Sequence, residues 1–343
     1  MNLERLDQLL ARFPDLTILV IGDFFLDKYL LIDRSRAEVS LETGLEAHQV
    51  VEVRSSPGAA GTVTSNLAAM GVHVVAVSAV GDDGEGFDLL RGLDSRGVDV
   101  EGLVIRPDRF TPTYTKPMLR EADGSEHEIN RLDIKNRTPL PEDAEDEVIR
   151  RLRGLMPQVH GVIIADQVAE EDCGVITETV REELMTLAQT YPMVAFTADS
   201  RARIGLYHDV ILKPNAREAL LAAGQPVTTD PDPVTDRAQI EAAGSRLYRR
   251  SGQPVFLTLG GEGILTFYQD GPTLVPAVRV RGPIDIVGAG DAALAGLTSA
   301  LCAGATVTEA AEIACLAAGV TIRQIGTTGT ASRRQILDLH RGS

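Results

Sequence analysis

Apolar residues along this chain fall into two kinds of run. Short stretches of continuous hydrophobicity, rich in β-branched residues and bounded by turn formers, occur at residues 17–21, 73–80, 161–165, 193–198, 210–213 and 254–259. A strand without polar alternation is buried on both faces, so these runs predict a parallel sheet covered by helices on either side. Between them lie amphipathic stretches of helical length, near residues 60–70, 84–96, 141–155, 172–190 and 235–251. The alternation predicts an α/β fold, doubly wound about a mostly parallel sheet. At the N-terminus Leu3, Leu6, Leu9 and Leu10 share one face of a short amphipathic helix.

Two regions break this rhythm. Residues 29–55 and 103–131 carry alternating or β-rich runs, such as 50–54 and 114–120, separated by charged turns that include Asp123-Gly124. They predict hairpin strands of a small sheet, inserted as a lid into a single domain that spans residues 1–343. The stretch 226–233, rich in Pro, Thr and Asp, predicts an exposed loop rather than a domain linker.

Composition narrows the class. With 343 residues, 44% hydrophobic and 24% charged, the chain can bury a sizeable core as a soluble globular protein. Its 33 basic residues face 49 acidic ones, and a formal charge of -16 repels polyanions, which disfavours nucleic acid and anionic membranes as partners. No apolar run approaches the roughly 18 residues of a membrane span, and the N-terminus lacks the apolar core of a secretory signal. Cys173, Cys302 and Cys315 are odd in number and far apart, which predicts reduced thiols in a cytoplasmic protein.

The segment richest in chemistry is Asp285-Ile286-Val287-Gly288-Ala289-Gly290-Asp291-Ala292, followed by an apolar helical run over 293–303. Glycines just before a helix let backbone N–H groups converge on an anion, and the helix N-terminus adds partial positive charge. An aspartate in the first turn then sits where an acceptor hydroxyl and a transferring phosphoryl group would meet. Taken alone, Asp291 reads equally well as a plain helix N-cap. A dinucleotide-binding glycine loop is excluded by context. Such a loop follows the first strand of a βαβ unit, whereas this one lies near the C-terminus and leads into two helices, the second announced by the capping pair Thr306 and Glu309. A phosphate loop ending in Gly-Lys-Ser/Thr is absent from the sequence.

The run Val287 to Ala292 resembles the C-terminal signature of the ribokinase-like (PfkB) carbohydrate kinases. Further matches follow in family order. The run Val20-Ile21-Gly22-Asp23-Phe24-Phe25-Leu26-Asp27 resembles the first strand and turn, Pro57-Gly58-Ala59-Ala60-Gly61-Thr62 the substrate-binding glycine turn, and Val80-Gly81-Asp82-Asp83-Gly84-Glu85-Gly86 the next glycine segment. Leu212-Lys213-Pro214-Asn215-Ala216-Arg217-Glu218 looks like the Asn-x-x-Glu motif, and Thr258-Leu259-Gly260-Gly261-Glu262-Gly263 like the strand-end turn beside the nucleotide. Singly, the Asn and Glu pair is ordinarily a cap with a surface residue, and the glycine turn an ordinary hairpin. Their joint order carries the resemblance.

The resemblance implies ATP-dependent phosphoryl transfer to a sugar or sugar-phosphate hydroxyl, with Asp291 as catalytic base and Gly288, Ala289 and Gly290 as anion hole. It implies an acceptor site at Asp27, Gly58, Ala59 and Thr62, and a nucleotide site at Asn215, Glu218, Thr258, Gly260 and Gly263. Glu218 would reach magnesium through water, and a monovalent cation such as potassium would be a second ion. The exposed edge of an inserted lid sheet predicts a homodimer. Within the family the likeness is to heptose 7-phosphate kinases. It rests on Leu26-Asp27-Lys28-Tyr29, Ser35-Arg36, Pro57-Gly58, Thr113 to Lys116 and Arg131-Leu132-Asp133. In that reading Arg36, Lys116 and Arg131 are candidates to bind a phosphate already on the sugar. The chain length predicts no accompanying nucleotidyltransferase half.

Three positions depart from the family pattern. Ala59 replaces the second glycine of the sugar turn, Thr62 stands where the related kinases carry a sugar-binding asparagine, and Ile286 replaces a threonine. A changed buried polar group costs about 1–3 kcal/mol when mismatched, so the acceptor's identity is left open. A nucleoside kinase of the same family and a non-catalytic sugar-binding regulator are the rival readings.

Overall fold

The computed structural model describes residues 1–121, 124–225, 237–326 and 328–342. The loop expected at 226–233 and Asp123 of the expected turn lie outside them. The first half of the chain forms α1 Leu3–Ala11, β1 Thr17–Gly22, β2 Phe24–Asp33, β3 Glu38–Val39, β4 Glu46–Ala47, β5 Val50–Ala59, α2 Ala60–Ala69, β6 His73–Gly81, α3 Gly84–Asp94, β7 Leu103–Arg106, β8 Thr113–Arg120, β9 Glu126–Glu128, β10 Leu132–Ile134 and α4 Glu142–Leu155. The second half forms β11 Gly161–Asp166, α5 Glu178–Thr190, β12 Ala195–Ser200, β13 Ile211–Leu212, α6 Ala216–Ala222, α7 Arg237–Ser251, β14 Val255–Thr258, β15 Gly263–Tyr268, β16 Gly271–Pro276, α8 Ala289–Cys302, α9 Val307–Thr321 and α10 Arg333–Arg341.

A nine-stranded sheet runs β16-β15-β14-β13-β12-β11-β1-β6-β7. Its pairs are parallel from β7 to β14, and β15 and β16 close it as an antiparallel edge. The continuous hydrophobicity of the strands has the expected cause. Ile18 and Val20 of β1 pack into a core with residues of α1, α2, α8 and α9, while Leu19 and Ile21 pack into a second core with α4, α5 and α7. Alternate residues thus feed two apolar layers, and neither face is left to water. In α1, Leu6, Leu9 and Leu10 are buried, but Leu3 is exposed.

A five-stranded sheet, β10-β8-β2-β5 with β9 on β8, stands beside the large one, and β3 pairs only with β4. It begins earlier than expected, at Phe24, and its second segment begins later. Residues 103–106 form β7, which pairs in parallel with β6 in the large sheet, so they lie outside the small sheet. The helix expected over 172–190 starts only at Glu178. The Thr177 side chain caps it by accepting from the Val180 N–H, and Asp172 sits at φ 53°, a conformation no helix contains.

Candidate active site

The parallel strands β1, β11, β12 and β13 end along one edge of the large sheet, where ligands of open α/β sheets gather. Asp166 ends β11, Asp199 lies one residue from the end of β12, and Lys213 follows β13. Lys213 is buried, and its Nζ lies 3.0 Å from Asp199 Oδ2. A Cβ added to Gly290 would lie 3.9 Å from that Nζ, so the ammonium reaches the start of α8. Burial works against its charge, yet Asp199, Glu218 and Asp291 together hold its pKa above the usual lysine value.

Glu218 is the third residue of α6 and Asp291 the third of α8. Both carboxyls are pushed up to about 7, first by burial and then by the neighbouring charge of Asp199, with Lys213 and Arg201 opposing. One buried lysine among three carboxylates leaves an excess of negative charge at this point.

Gly288 holds the N-cap position of α8 at φ 79°, and its would-be Cβ lies 2.9 Å from Thr328 Cγ2 and 3.4 Å from Thr62 Cγ2. A side chain there would meet both a forbidden backbone region and two threonines. The plain N-cap reading of Asp291 is thereby displaced, because the cap is Gly288 and Asp291 lies inside the helix. Gly288, Ala289, Gly290 and Asp291 form one continuous turn. Asp285 pins it, accepting from Val287 N–H at 3.1 Å and from Gly326 N–H at 3.2 Å. Ile286 points into solvent at 72% exposure, so no buried polar partner is left unmet where the family has threonine.

Asp27 lies on β2, and its charge is among those that raise Asp291. Lys116 Nζ donates to Asp27 Oδ1 and to the Tyr29 hydroxyl, both at 3.1 Å. A Cβ on Gly58 would lie 2.5 Å from Asp27 Oδ2, which explains a glycine there. Ala59 follows at φ 52°, ψ -118°, a backbone suited to glycine, and caps α2. Thr62, in the first turn of α2, is buried beside the Gly288 turn. The structure therefore brings Asp27, Gly58, Ala59 and Thr62 to the side of the α8 turn nearest the small sheet.

On the other side, Asn215 and Glu218 form a capping box. Asn215 Oδ1 accepts from Glu218 N–H at 2.9 Å, and Glu218 Oε2 accepts from Asn215 N–H at 2.8 Å. Thr258 N–H donates to Pro214 O at 2.9 Å, which sets the end of β14 against the start of α6. Gly260 at φ 55° and Gly263 at φ 114° shape the turn that follows. Of the three candidate phosphate cations, Arg36 pairs with Asp33, Lys116 with Asp27 and Arg131 with Asp133, the last while stacked 4.6 Å over Tyr114.

Sequence reasoning missed Asp199 and the central place of Lys213. The available signal was a charge at the end of each buried apolar run, which nothing in an apolar layer would tolerate unpaired. It also missed Asp23, whose carboxylate accepts from the backbone N–H groups of Gln167 at 2.8 Å, Val168 at 2.9 Å and Val175 at 2.8 Å. Burial, then Asp166, pushes its pKa up to about 6 against those three donors. Among the described residues no three His, Cys, Asp or Glu side chains cluster closely enough to cage a metal. The donor set fits a hard cation carried by phosphates and met through water, as magnesium usually is.

The family model for pfkB family carbohydrate kinases matches residues 19–334. Bifunctional protein HldE of Geobacter metallireducens is 30% identical over 331 residues, covering 96% of this chain and 64% of that protein. Its counterpart in Hyphomonas neptunium is 31% identical over 337 residues, covering 97% and 65%. The chain thus spans less than two thirds of the length of these relatives. Among solved structures, Arabidopsis thaliana ribokinase complexed with ribose and ATP superposes with a TM-score of 0.68 at 19% identity, covering 96% of this chain and 99% of that one. Escherichia coli phosphofructokinase-2 in complex with fructose-6-phosphate gives 0.69 at 16% identity, covering 95% and 99%. These two share the fold.

Proposed function

Because the chain belongs to the pfkB family of carbohydrate kinases, and so is an ATP-dependent sugar kinase, we propose that its acceptor is a phosphorylated sugar of the heptose 7-phosphate kind. One observation carries the site assignment: Asp291 stands in the first turn of α8 with a carboxyl pushed up to about 7, within electrostatic reach of Asp27 on one side and Lys213 on the other. A base of that strength is matched to a hydroxyl proton near neutral pH. The acceptor reading is supported by the heptose-kinase likeness of the motifs and by the 30% identity to a bifunctional HldE protein.

In this reading Asp27 and Thr62 orient the acceptor, and Gly58 leaves room for the Asp27 carboxylate. Asp291 takes the proton from the attacking hydroxyl. The N–H groups of Gly288 and Gly290 stabilise charge that builds on the transferring phosphoryl, aided by the helix terminus, while the Ala289 N–H is already donated to Ile286 O at 3.2 Å. Lys213 keeps the cluster of carboxylates from repelling the triphosphate. Glu218 and Asn215 would hold magnesium through water, and the ion would neutralise phosphate charge when bound. The unpaired cysteines accord with a cytoplasmic setting.

The test has two arms. ATP consumption is compared across heptose and hexose phosphates, the same sugars unphosphorylated, and nucleosides; an unphosphorylated sugar or nucleoside preferred tenfold or more would overturn the acceptor. Single-turnover transfer by Asp291→Asn is expected to slow by roughly 10²-fold or more, with nucleotide binding retained. Near wild-type transfer in a folded variant would remove Asp291 as base.

A further inference from the structure

All three cations first considered for an acceptor phosphate are engaged with carboxylates, at 3.3 Å for Arg36, 3.1 Å for Lys116 and 2.7 Å for Arg131. A cavity bordered by Tyr114 offers a different set. It lies between the start of β2, Tyr114, the loop 167–175 and the residue that follows β12, with a volume of about 70 Å³. That is several times what a single ordered water needs, and enough for an anion of phosphate size. Tyr114 is the register neighbour of Asp27, so the cavity adjoins the proposed acceptor carboxylate.

Three cations line this cavity, and two are committed. Arg109 is buried and spends its guanidinium on the carbonyls of Thr138, Pro139 and Cys173. Lys135 stands 3.6 Å from Glu170. Arg201 is exposed, and among the described residues its side chain has neither a hydrogen bond nor an ion pair, although Asp23 and Glu170 line the same cavity. Asp23 has both oxygens occupied by three backbone N–H groups and is not available to it. The Arg201 backbone is nevertheless fixed, since its N–H donates to Asp166 O at 3.0 Å. Arg201 lines the cavity, and its charge also opposes the rise in the pKa of Asp291 and Glu218, so it acts on both places. In a protein with excess negative charge, an arginine without a protein carboxylate partner on such a cavity is suited to an anionic ligand.

We infer that Arg201 binds the phosphate already present on the acceptor and so sets the preference for phosphorylated sugars. This rests on the sugar-phosphate reading above. Lys116 and Arg131 then serve to orient Asp27 and Tyr114 rather than to bind the phosphate.

Steady-state kinetics of the wild type, Arg201→Gln and Arg201→Lys test it, with a sugar phosphate and the same sugar unphosphorylated as paired acceptors. A charged hydrogen bond of this kind corresponds to about ten- to a hundredfold, so Arg201→Gln is expected to lower the phosphorylated-to-unphosphorylated ratio of kcat/KM by at least about tenfold, chiefly through KM. Arg201→Lys should recover part of it, and inorganic phosphate should compete with the acceptor more weakly in Arg201→Gln than in the wild type. If the wild type prefers the phosphorylated acceptor and Arg201→Gln keeps the same ratio, the inference falls while the sugar-phosphate reading stands. A wild type that prefers the unphosphorylated sugar overturns both. An equal fall in kcat for both acceptors assigns Arg201 to the transferring phosphoryl instead and also overturns the inference.

Discussion

At Ala59 the side chain disagrees with the backbone. Its φ of 52° and ψ of -118° suit a residue without Cβ, and the sequence resemblance places glycine at this point of the sugar turn. Holding alanine there costs about 1–3 kcal/mol, whereas glycine adds unfolded-chain entropy worth less than about 1 kcal/mol. Ala59→Gly is therefore expected to raise stability by about 1 kcal/mol in urea unfolding, and an unchanged or lowered midpoint would mean the turn holds no such strain. Asp291 carries a second mismatch, between charge and place. Its carboxyl ionises near 3.8 in the unfolded chain and near 7 in the folded one, so between those values the folded state binds the extra proton and stability falls as pH rises. Asp291→Asn has no proton to lose. Its melting temperature relative to wild type should rise between pH 5 and pH 8; a difference that is flat or of opposite sign would contradict the burial that raises this pKa.

The element that best shows what sequence could and could not say is α6. Asn215 and Glu218 at its start are the pair a capping box requires, and the structure contains that box. What spacing could not show is that Glu218 also faces Asp199 and Lys213, because those residues arrive from the ends of two separate strands. The two roles separate in Glu218→Gln. Glutamine can still accept from the Asn215 N–H, so the cap and the stability should persist. The lost charge should raise the magnesium concentration needed for half-maximal rate, and a wild-type magnesium dependence would leave Glu218 only its cap. Strand positions were legible for a simple reason: β1, β6 and β11 are buried on both faces, so their runs are continuous in sequence. The edge strand β7 was assigned to the wrong sheet, since four residues covered by helix α4 on one side look like any short β-rich run.

Across the whole molecule, the small sheet presents two faces of opposite character, and strand register shows which is which. Asp27 and Tyr114 are direct partners, as are Tyr29 and Lys116, so these polar groups share the face that looks onto the candidate site. The opposite face carries Leu30 with its partner Val53, and Leu132 opposite Thr115, with Lys28 between them paired to Glu85 of α3 at 3.2 Å. Val53 is 55% exposed and Leu132 58%, and both stand on the apolar side of a sheet whose outer strand, β5, has an unpaired edge. An apolar face beside an open strand edge is costly in water and prone to pairing. We propose that a second copy of the chain covers it, giving a homodimer through the lid. A partner acting there would also hold Asp27 and Lys116 in place from behind, which links assembly to acceptor binding. Sedimentation at micromolar concentration should give a dimer for the wild type and a monomer for Val53→Asp, whose charge would be buried unpaired in the interface. The monomer should fold, since Val53 is half open to solvent, but its KM for the acceptor should rise while nucleotide binding is kept. A monomeric wild type, or a Val53→Asp variant that remains dimeric, would place any partner of this chain elsewhere than on the lid.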